Sequence, residues 1–198
     1  MKKAHVLLFH GYADWEIGYI LAELKRLGNI QVVSVGFSDK PVFSMGGLKV
    51  QPEKQLSEID PSEVLLFILP GGMMWEQSYP MDNVHSFLKI LDTAEVPIAA
   101  ICAATTVLAK AGILQGRKHT SNSLQYLCTH VPEYTGQNDY VSELAVTDEH
   151  ITTASGLGSI EFTMNIMESL DIATPTVRKF WYRAFKYGEY PENITEGE

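Results

Sequence analysis

The sequence predicts a doubly wound α/β sandwich, in which helices cover both faces of a mostly parallel sheet. Residues 4–35 contain a strand, a helix and a second strand, and a β-α-β unit of about 30 residues pairs its strands in parallel. Residues 64–69, VLLFIL, are continuously apolar, as expected for a strand that is buried on both faces. A further strand runs directly into a helix between residues 96 and 112. This alternation favours the α/β class over separate α and β regions.

The composition narrows the class of protein further. The chain has 198 residues, of which 45% are hydrophobic and 20% are charged, as is usual for one globular domain. We expect residues 1–175 to form that domain, and residues 176–198 to add a helix and an acidic tail packed on it. The formal net charge of -9 disfavours binding to nucleic acids and to anionic membranes.

The apolar runs and the cysteines predict a cytoplasmic protein. The apolar run after the first three residues is too short for the core of a secretory signal. No apolar stretch approaches the roughly 20 residues that a membrane span requires. The chain has only 2 cysteines, in no metal-binding or disulfide pattern, which suits a reducing compartment.

In the first half of the chain, strand and helix patterns alternate. Residues 4–9 form the first predicted strand, and Asp14 is the predicted N-cap of the helix that follows, which Gly28 ends. A pair of glycines between β-prone runs indicates a small edge hairpin over residues 41–50. The other predicted elements here are a strand at 30–35, the central strand at 64–69 and a helix at 83–94.

The second half continues the pattern and ends in a basic helix. Its predicted elements are strands at 98–101 and 118–121, helices at 105–111 and 124–131, an antiparallel hairpin formed by 140–147 and 150–154, and a helix at 159–170. The last helix, 177–187, carries basic residues in an acidic protein. It reads either as a helix that binds a partner or a membrane surface, or as a tail helix docked through Val177, Trp181 and Phe185. We favour docking.

Cys102 stands where a strand turns directly into a helix. The residues two before and two after such a corner are crowded, and here they are Ala100 and Ala104. This is the pattern of a nucleophile elbow, which raises one side chain above the sheet at the start of a helix. The unpaired N–H groups and the dipole of that helix favour a thiolate. The alternative is a buried, inert cysteine between a core strand and a core helix.

Other candidate residues lie where parallel strands end, which is where ligands bind in sheets of this kind. Glu16, in the first turn of the first helix, either complements the helix dipole or lies beside Cys102. An ionised Glu16 would raise the pKa of the Cys102 thiol, whereas a protonated Glu16 would donate a hydrogen bond to the thiolate and lower that pKa. The N–H groups of Gly72 and Ala103 are candidate oxyanion donors, unless the Gly71-Gly72 pair only makes a tight turn.

These residues together resemble a known family. The chain is similar to the ThiJ/PfpI family, within the class I glutamine amidotransferase-like superfamily, over residues 4–172. The matching segments are GYADWEIG with Glu16, FILPGG with Pro70-Gly71-Gly72, AAICAATTVLAKAGIL with Cys102, Gly116-Arg117-Lys118 with Thr120-Ser121, and TTASGLGSIEF with Ser155-Gly156.

The resemblance implies a flavodoxin-like three-layer sandwich, a homodimer, a small-molecule substrate and no cofactor. It also implies a cysteine that is hydrogen-bonded to a protonated glutamate. By this match Cys102 is the nucleophile and Glu16 is its proton partner. Gly72 and Ala103 are then the oxyanion donors.

The chain departs from the family at two positions. The protease-like branch has a histidine directly after the cysteine, where this chain has Ala103. The glyoxalase and deglycase branch has another histidine where this chain has Asn122. His119 is interpreted as an ordinary strand or loop histidine, so a Cys-His-Glu triad is not predicted. Peptidase activity is disfavoured because a leaving amine must be protonated.

Three functions remain open from the sequence. The first is a hydrolase or lyase in which the Cys102 thiolate attacks an aldehyde, amide or thioester carbon while Glu16 carries the proton. The second is a redox or oxidative-stress protein in which Cys102 is oxidised to sulfenic or sulfinic acid. The third is a ligand-binding module in which the cysteine has no chemical role.

Overall fold

The computed structural model describes residues 2–190, so residues 191–198 of the predicted acidic tail lie outside the described part. The strands are β1 (Lys3–Leu7), β2 (Val32–Gly36), β3 (Val42–Phe43), β4 (Lys49–Val50), β5 (Lys54–Gln55), β6 (Val64–Leu69), β7 (Ile98–Ile101), β8 (Ala145–Asp148) and β9 (Ile151–Ala154). The helices are α1 (Asp14–Arg26), α2 (Met81–Thr93), α3 (Thr105–Lys110), α4 (Leu124–His130), α5 (Ser159–Ser169) and α6 (Pro175–Tyr187).

The central sheet has 7 strands in the order β5-β2-β1-β6-β7-β9-β8. Neighbouring strands in it are parallel except β8 and β9, which form the predicted antiparallel hairpin at one edge. Strand β2 is added on one side of β1, and after β5 the chain crosses over to add β6 and then β7 on the other side. Helix α5 packs on α1 and α6, and α3 packs on α2 and α4. The predicted α/β sandwich with a mostly parallel sheet is therefore confirmed.

The apolar residues from which the core strands and helices were predicted are buried, as expected. In β6, at the middle of the sheet, Phe67 and Leu69 are fully buried. The helical stripe of α1 is buried at Ile17, Ile20 and Leu24. This packing fixes the carboxyl ends of the central strands side by side, together with the start of α1.

Asp14 is not the N-cap of α1, so that prediction is wrong. Ala13 occupies the N-cap position without a side-chain cap hydrogen bond, and Asp14 is the first helical residue. The Asp14 Oδ2 atom instead accepts the N–H of Gly46 at 2.7 Å. Gly46 lies in the turn of the antiparallel β3–β4 pair, which is the hairpin predicted over residues 41–50. The carboxylate thus joins the start of the helix to the hairpin instead of capping the helix.

The predicted strand at 118–121 is only a single bridge between His119 and Tyr140. The Thr120 N–H donates to the hydroxyl of Thr153 at 2.9 Å, so a side chain stands where a strand would have a backbone carbonyl. The hairpin also begins later than predicted, at Ala145, because Tyr140 and Val141 pair with the segment at His119 instead, where the Val141 N–H donates to the His119 carbonyl at 2.8 Å.

Helix α6 packs against α1 and α5. Trp181 is buried, and its Nε1–H donates to Glu23 of α1 at 2.9 Å. Lys186 pairs with Glu161 of α5 at 2.7 Å. Phe185 is 46% exposed, so Trp181 is the main anchor. Within the described part of the chain, no helix is both long and apolar enough to cross a bilayer.

Candidate active site

Cys102 lies at the corner between β7 and α3. Strand β7 ends at Ile101, and a 3₁₀ turn from Cys102 to Ala104 leads into α3. The Cys102 backbone has a φ of 59°, in the left-handed region, which costs a non-glycine residue on the order of 1 kcal/mol. Ala100 and Ala104 are fully buried on either side, as a tight corner requires. The predicted nucleophile elbow is present, and it leaves the Cys102 side chain partly exposed.

The carboxyl group beside Cys102 belongs to Glu16. The first turn of α1 carries this side chain, which is only 1% exposed, to the same edge of the sheet. Its Oε2 atom accepts the Gly71 N–H at 2.6 Å, and the carboxyl group also hydrogen-bonds Cys102. Burial raises the pKa of Glu16 to about 7, although both hydrogen bonds oppose the rise. Glu16 therefore exchanges its proton near neutral pH.

The thiol of Cys102 is also affected by burial. Burial raises its pKa to about 11, and the charge of an ionised Glu16 adds to the rise, while hydrogen bonds from Asn122 and the Ala103 N–H oppose it. Helix amides alone therefore do not hold a thiolate here, contrary to the expectation from the elbow. Glu16 and Cys102 instead share one proton. It lies either on the sulfur, which leaves a carboxylate and a thiol, or on the carboxyl group, which leaves a carboxylic acid and a thiolate. The second arrangement is the reactive one.

Glycines form the walls on two sides of the sulfur. A Cβ atom at Gly71 would lie 2.7 Å from the Cys102 Cβ and 2.7 Å from Glu16 Oε2. A Cβ atom at Gly156 would lie 2.9 Å from Cys102 Sγ. Side chains do not tolerate contacts this short, so both positions require glycine. The loops that follow β6 and β9 therefore converge on Cys102.

The two predicted oxyanion donors differ in their surroundings. A Cβ atom at Gly72 would meet the Phe9 ring and the Gly11 carbonyl oxygen. The Ala103 N–H, by contrast, hydrogen-bonds the Cys102 sulfur. The structure thus brings Ala103 to the sulfur, and the oxyanion role of Gly72 stays a prediction.

Asn122, to which sequence reasoning assigned no role, also reaches the sulfur. Its Nδ2–H donates to Cys102 Sγ at 3.3 Å, and its Oδ1 accepts the Gly156 N–H at 2.9 Å. The available signal was its position, directly after Thr120-Ser121 and where the glyoxalase and deglycase branch has a histidine. Asn122 joins the elbow to the loop that follows β9.

His119 is fully buried and has other partners. Its Nδ1 lies 2.6 Å from the Arg117 carbonyl oxygen, and its Nε2 lies 2.5 Å from the Tyr134 hydroxyl. Burial lowers the pKa of His119. Within residues 2–190, no histidine hydrogen-bonds Cys102, and no group of three or more His, Cys, Asp and Glu side chains is arranged to hold a metal ion.

Known proteins share both the sequence and the fold of this chain. Residues 2–169 match the DJ-1/PfpI family. The chain belongs to the DJ-1/PfpI family. A Bacillus subtilis protein named as the uncharacterized protease YoaZ is 36% identical over 195 residues, covering 93% of this chain and 91% of the relative. The crystal structure of a thiJ/pfpI family protein from Bacillus anthracis matches with a TM-score of 0.87 at 34% identity, covering 95% of this chain and 92% of that one.

Other relatives of this DJ-1/PfpI protein carry the names of other activities. A Thermococcus kodakarensis protein named as a deglycase is 30% identical, over 60% of this chain and 71% of its own length. A Caenorhabditis elegans protein named as a glutathione-independent glyoxalase is 27% identical, over 73% of this chain and 75% of its own length. The family thus includes proteins named as protease, deglycase and glyoxalase.

In this DJ-1/PfpI chain, a cavity of about 690 Å³ lies beside the loop at Gly72. Its lining comes from the ends of β1 and β2, from the hairpin and from the 3₁₀ turn after Gly72. The apolar side chains that line it are Leu8, Phe9, Phe37, Pro41, Val42, Met45, Met73 and Met74. The cavity lies at the same edge of the sheet as Cys102, but neither Cys102 nor Glu16 lines it.

Proposed function

We propose that this protein is a cysteine-dependent enzyme that acts on the carbonyl carbon of a small electrophilic substrate. Cys102 is the nucleophile, and Glu16 takes the proton that the thiol releases. The observation that carries the proposal is the buried Glu16 carboxyl group, whose pKa is raised to about 7 and which hydrogen-bonds the Cys102 sulfur. A group that exchanges its proton near neutral pH is what general acid–base catalysis requires.

The proposed chemistry needs a single proton carrier. The Cys102 proton moves to Glu16, and the sulfur attacks the carbonyl carbon, forming a carbon–sulfur bond while the π electrons move to oxygen. The Ala103 N–H, with Gly72 as the second proposed donor, stabilises the oxyanion. With an aldehyde, Glu16 returns its proton to that oxygen and a hemithioacetal forms. With a thioester, the oxyanion collapses, Glu16 protonates the leaving thiolate, and water hydrolyses the acyl-enzyme.

A small aldehyde or thioester suits this site better than a peptide. A leaving amine has to be protonated, and the protease-like branch has a histidine where this chain has Ala103. Within the described residues no histidine hydrogen-bonds the sulfur. The relatives named as a glyoxalase and a deglycase support this order of preference, and the relative named as a protease does not change it.

An oxidative role is the second candidate. The Cys102 sulfur is partly exposed, and a peroxide would oxidise its thiolate to sulfenic and then sulfinic acid. The Asn122 amide, the Ala103 N–H and a protonated Glu16 are donors that would hydrogen-bond the added oxygens. A stable sulfinate on Cys102 after mild peroxide treatment, with no turnover of carbonyl substrates, would favour this role.

We also propose that the protein is a cytoplasmic homodimer. Asp14 holds the first turn of α1 against the hairpin, and both carry large apolar side chains that are exposed to solvent. The exposed fractions are 46% for Phe43, 49% for Met45 and 63% for Leu48 on the hairpin, and 53% for Trp15 on the helix. Such surfaces are typical of contacts between proteins. Sedimentation equilibrium should give the mass of two chains, and the mass of one for Leu48→Glu. A wild-type mass of one chain would contradict the dimer.

Alkylation kinetics test the proposed chemistry, with Cys128→Ser as the background so that one thiol reacts. The rate of alkylation by iodoacetamide should rise through an inflection at pH about 7, where the Cys102 and Glu16 pair loses its first proton. It should then level off before rising again as the second proton is lost near pH 11. Glu16→Gln should lose that inflection and show a single rise at higher pH. Cys102→Ser should neither form the hemithioacetal with an aldehyde nor turn over a thioester.

Two results would overturn the proposal. One is a wild-type alkylation curve like that of a free thiol, with a single pKa of about 8.5. The other is continued turnover by Cys102→Ser.

A further inference from the structure

We infer that the side-chain amide of Asn122 is a third functional group of the site, a neutral donor that stabilises the Cys102 thiolate and leaves proton transfer to Glu16. The inference rests on the proposed function and adds one group to it. Asn122 lies in the loop between the bridge at His119 and helix α4. Its Nδ2 is 3.3 Å from Cys102 Sγ, and its Oδ1 is 2.9 Å from the Gly156 nitrogen.

The backbone of Gly156 decides which end of the amide faces the sulfur. A backbone N–H can only donate, so the atom that meets it has to be the carbonyl oxygen of Asn122. The NH₂ group at the other end then points at Cys102. Because an NH₂ group donates and does not accept, this hydrogen bond is stronger to the thiolate than to the thiol.

The loop around Asn122 is held by other side chains. The hydroxyl of Ser121 bonds that of Thr105 at 2.7 Å, and the hydroxyl of Ser123 accepts the Tyr126 N–H at 2.9 Å at the start of α4. Asn122 itself is exposed and is not part of the core. An exposed side chain that is nevertheless held by two hydrogen bonds, one of them to the nucleophile, has a role in the chemistry more than in stability.

The charges around the sulfur make a neutral donor suitable at this position. The titratable groups facing Cys102 include Glu16 of α1 and Tyr126 of α4, whose hydroxyl donates to Glu76 at 2.6 Å. Burial and Glu76 raise the pKa of Tyr126 above its ordinary value of 10, so its hydroxyl is neutral at pH 8, where the variants are compared. A carboxylate in place of Asn122 would repel the thiolate, and a histidine would add a second titrating group. An amide does neither.

The variants Asn122→Asp and Asn122→Ala test the inference. Asn122→Asp keeps an oxygen for the Gly156 N–H and replaces the donor with a carboxylate oxygen, whereas Asn122→Ala removes both contacts. Gln125→Ala is the matched control, because this exposed amide on the neighbouring turn donates to Thr129 and not to the sulfur. Each variant is made in the single-thiol protein and alkylated with iodoacetamide from pH 5 to pH 11, with thermal unfolding to confirm folding.

We expect both Asn122 variants to alkylate about 10- to 100-fold more slowly than wild type at pH 8, because each loses a hydrogen bond to a charged group. Asn122→Asp should be the slower of the two. The slowing should be uniform at lower pH and should become smaller toward pH 11, where about half of the wild-type thiol is already ionised. Gln125→Ala should follow wild type.

Three outcomes would contradict this picture, and they are distinguishable. If the wild-type curve has its inflection near pH 7 and Asn122→Asp alkylates at the wild-type rate at every pH, the inference is overturned. The proposed function would stand in that case. A slowing of the Asn122 variants that is as large at pH 11 as at pH 8 would also overturn the inference, because it would indicate a displaced loop and not a weaker thiolate. A wild-type curve without the inflection would overturn the proposed function itself.

Discussion

The buried Glu16 should destabilise the folded protein at neutral pH, and Glu16→Gln should remove that destabilisation. The side chain is only 1% exposed, and its pKa rises from an ordinary value of 4.5 to about 7 on folding. The folded state therefore binds the proton more tightly than the unfolded chain does. Its contribution to stability is fully present below pH 4.5 and is lost as pH rises through about 7.

The size of the effect follows from the two pKa values. Each pKa unit corresponds to about 1.4 kcal/mol, so a rise from 4.5 to about 7 corresponds to about 3 kcal/mol in the free energy of unfolding. Glutamine keeps a carbonyl oxygen for the Gly71 N–H and has no charge to bury. Between pH 4.5 and pH 8, we therefore expect Glu16→Gln to gain about 3 kcal/mol of stability relative to wild type.

Urea unfolding followed by tryptophan fluorescence at the two pH values measures this gain. Subtracting the wild-type free energy from that of the variant at each pH cancels the titration of the other groups. The exposed Glu133 provides a control, because Glu133→Gln should show no comparable change. If the gain of Glu16→Gln stays below about 1 kcal/mol, the carboxyl group ionises without a penalty and the reasoning about its proton is wrong.

Three further predictions concern single side chains. Gly156→Ala puts a Cβ atom 2.9 Å from Cys102 Sγ, so iodoacetamide alkylation should slow by about tenfold or more. An unchanged rate would show that the loop after β9 does not crowd the sulfur. His119→Leu should lower the free energy of unfolding by about 1–3 kcal/mol, since the buried Tyr134 hydroxyl loses its partner, and should not move the pH dependence of alkylation; a shifted curve would show that this histidine acts on the site. In urea unfolding, Trp181→Phe should cost about 1–3 kcal/mol because Glu23 loses a donor, and Trp181→Ala about 3–5 kcal/mol; small, equal losses would refute docking through this residue.

The order of the elements could be predicted because it is encoded locally. The apolar run of β6 and the helical stripe of α1 each identify an element from a few neighbouring residues. Asp14 shows where such reasoning ends. Its neighbours indicate an N-cap, but its carboxylate binds Gly46, 32 residues further along the chain, through a contact that exists only in the folded hairpin.

The candidate site could be predicted only in part. Cys102 and Glu16 stand where parallel strands end, and strand ends are identifiable from apolar runs. Asn122 lies in a loop whose path depends on side-chain hydrogen bonds such as that from Thr120 to Thr153, and no periodic pattern encodes those. The high pKa of the Cys102 thiol follows from burial, which a motif does not report.

The backbone at Cys102 also bears on how this chain would change under selection. At a φ of 59°, folding alone would favour glycine, which adopts that conformation without a steric penalty. The chain carries an oxidisable sulfur there instead, at a disadvantage on the order of 1 kcal/mol. In a mutant library screened only for heat resistance, Cys102→Gly should therefore be enriched, and the selected proteins should lose the reactive thiol as their thermal stability rises.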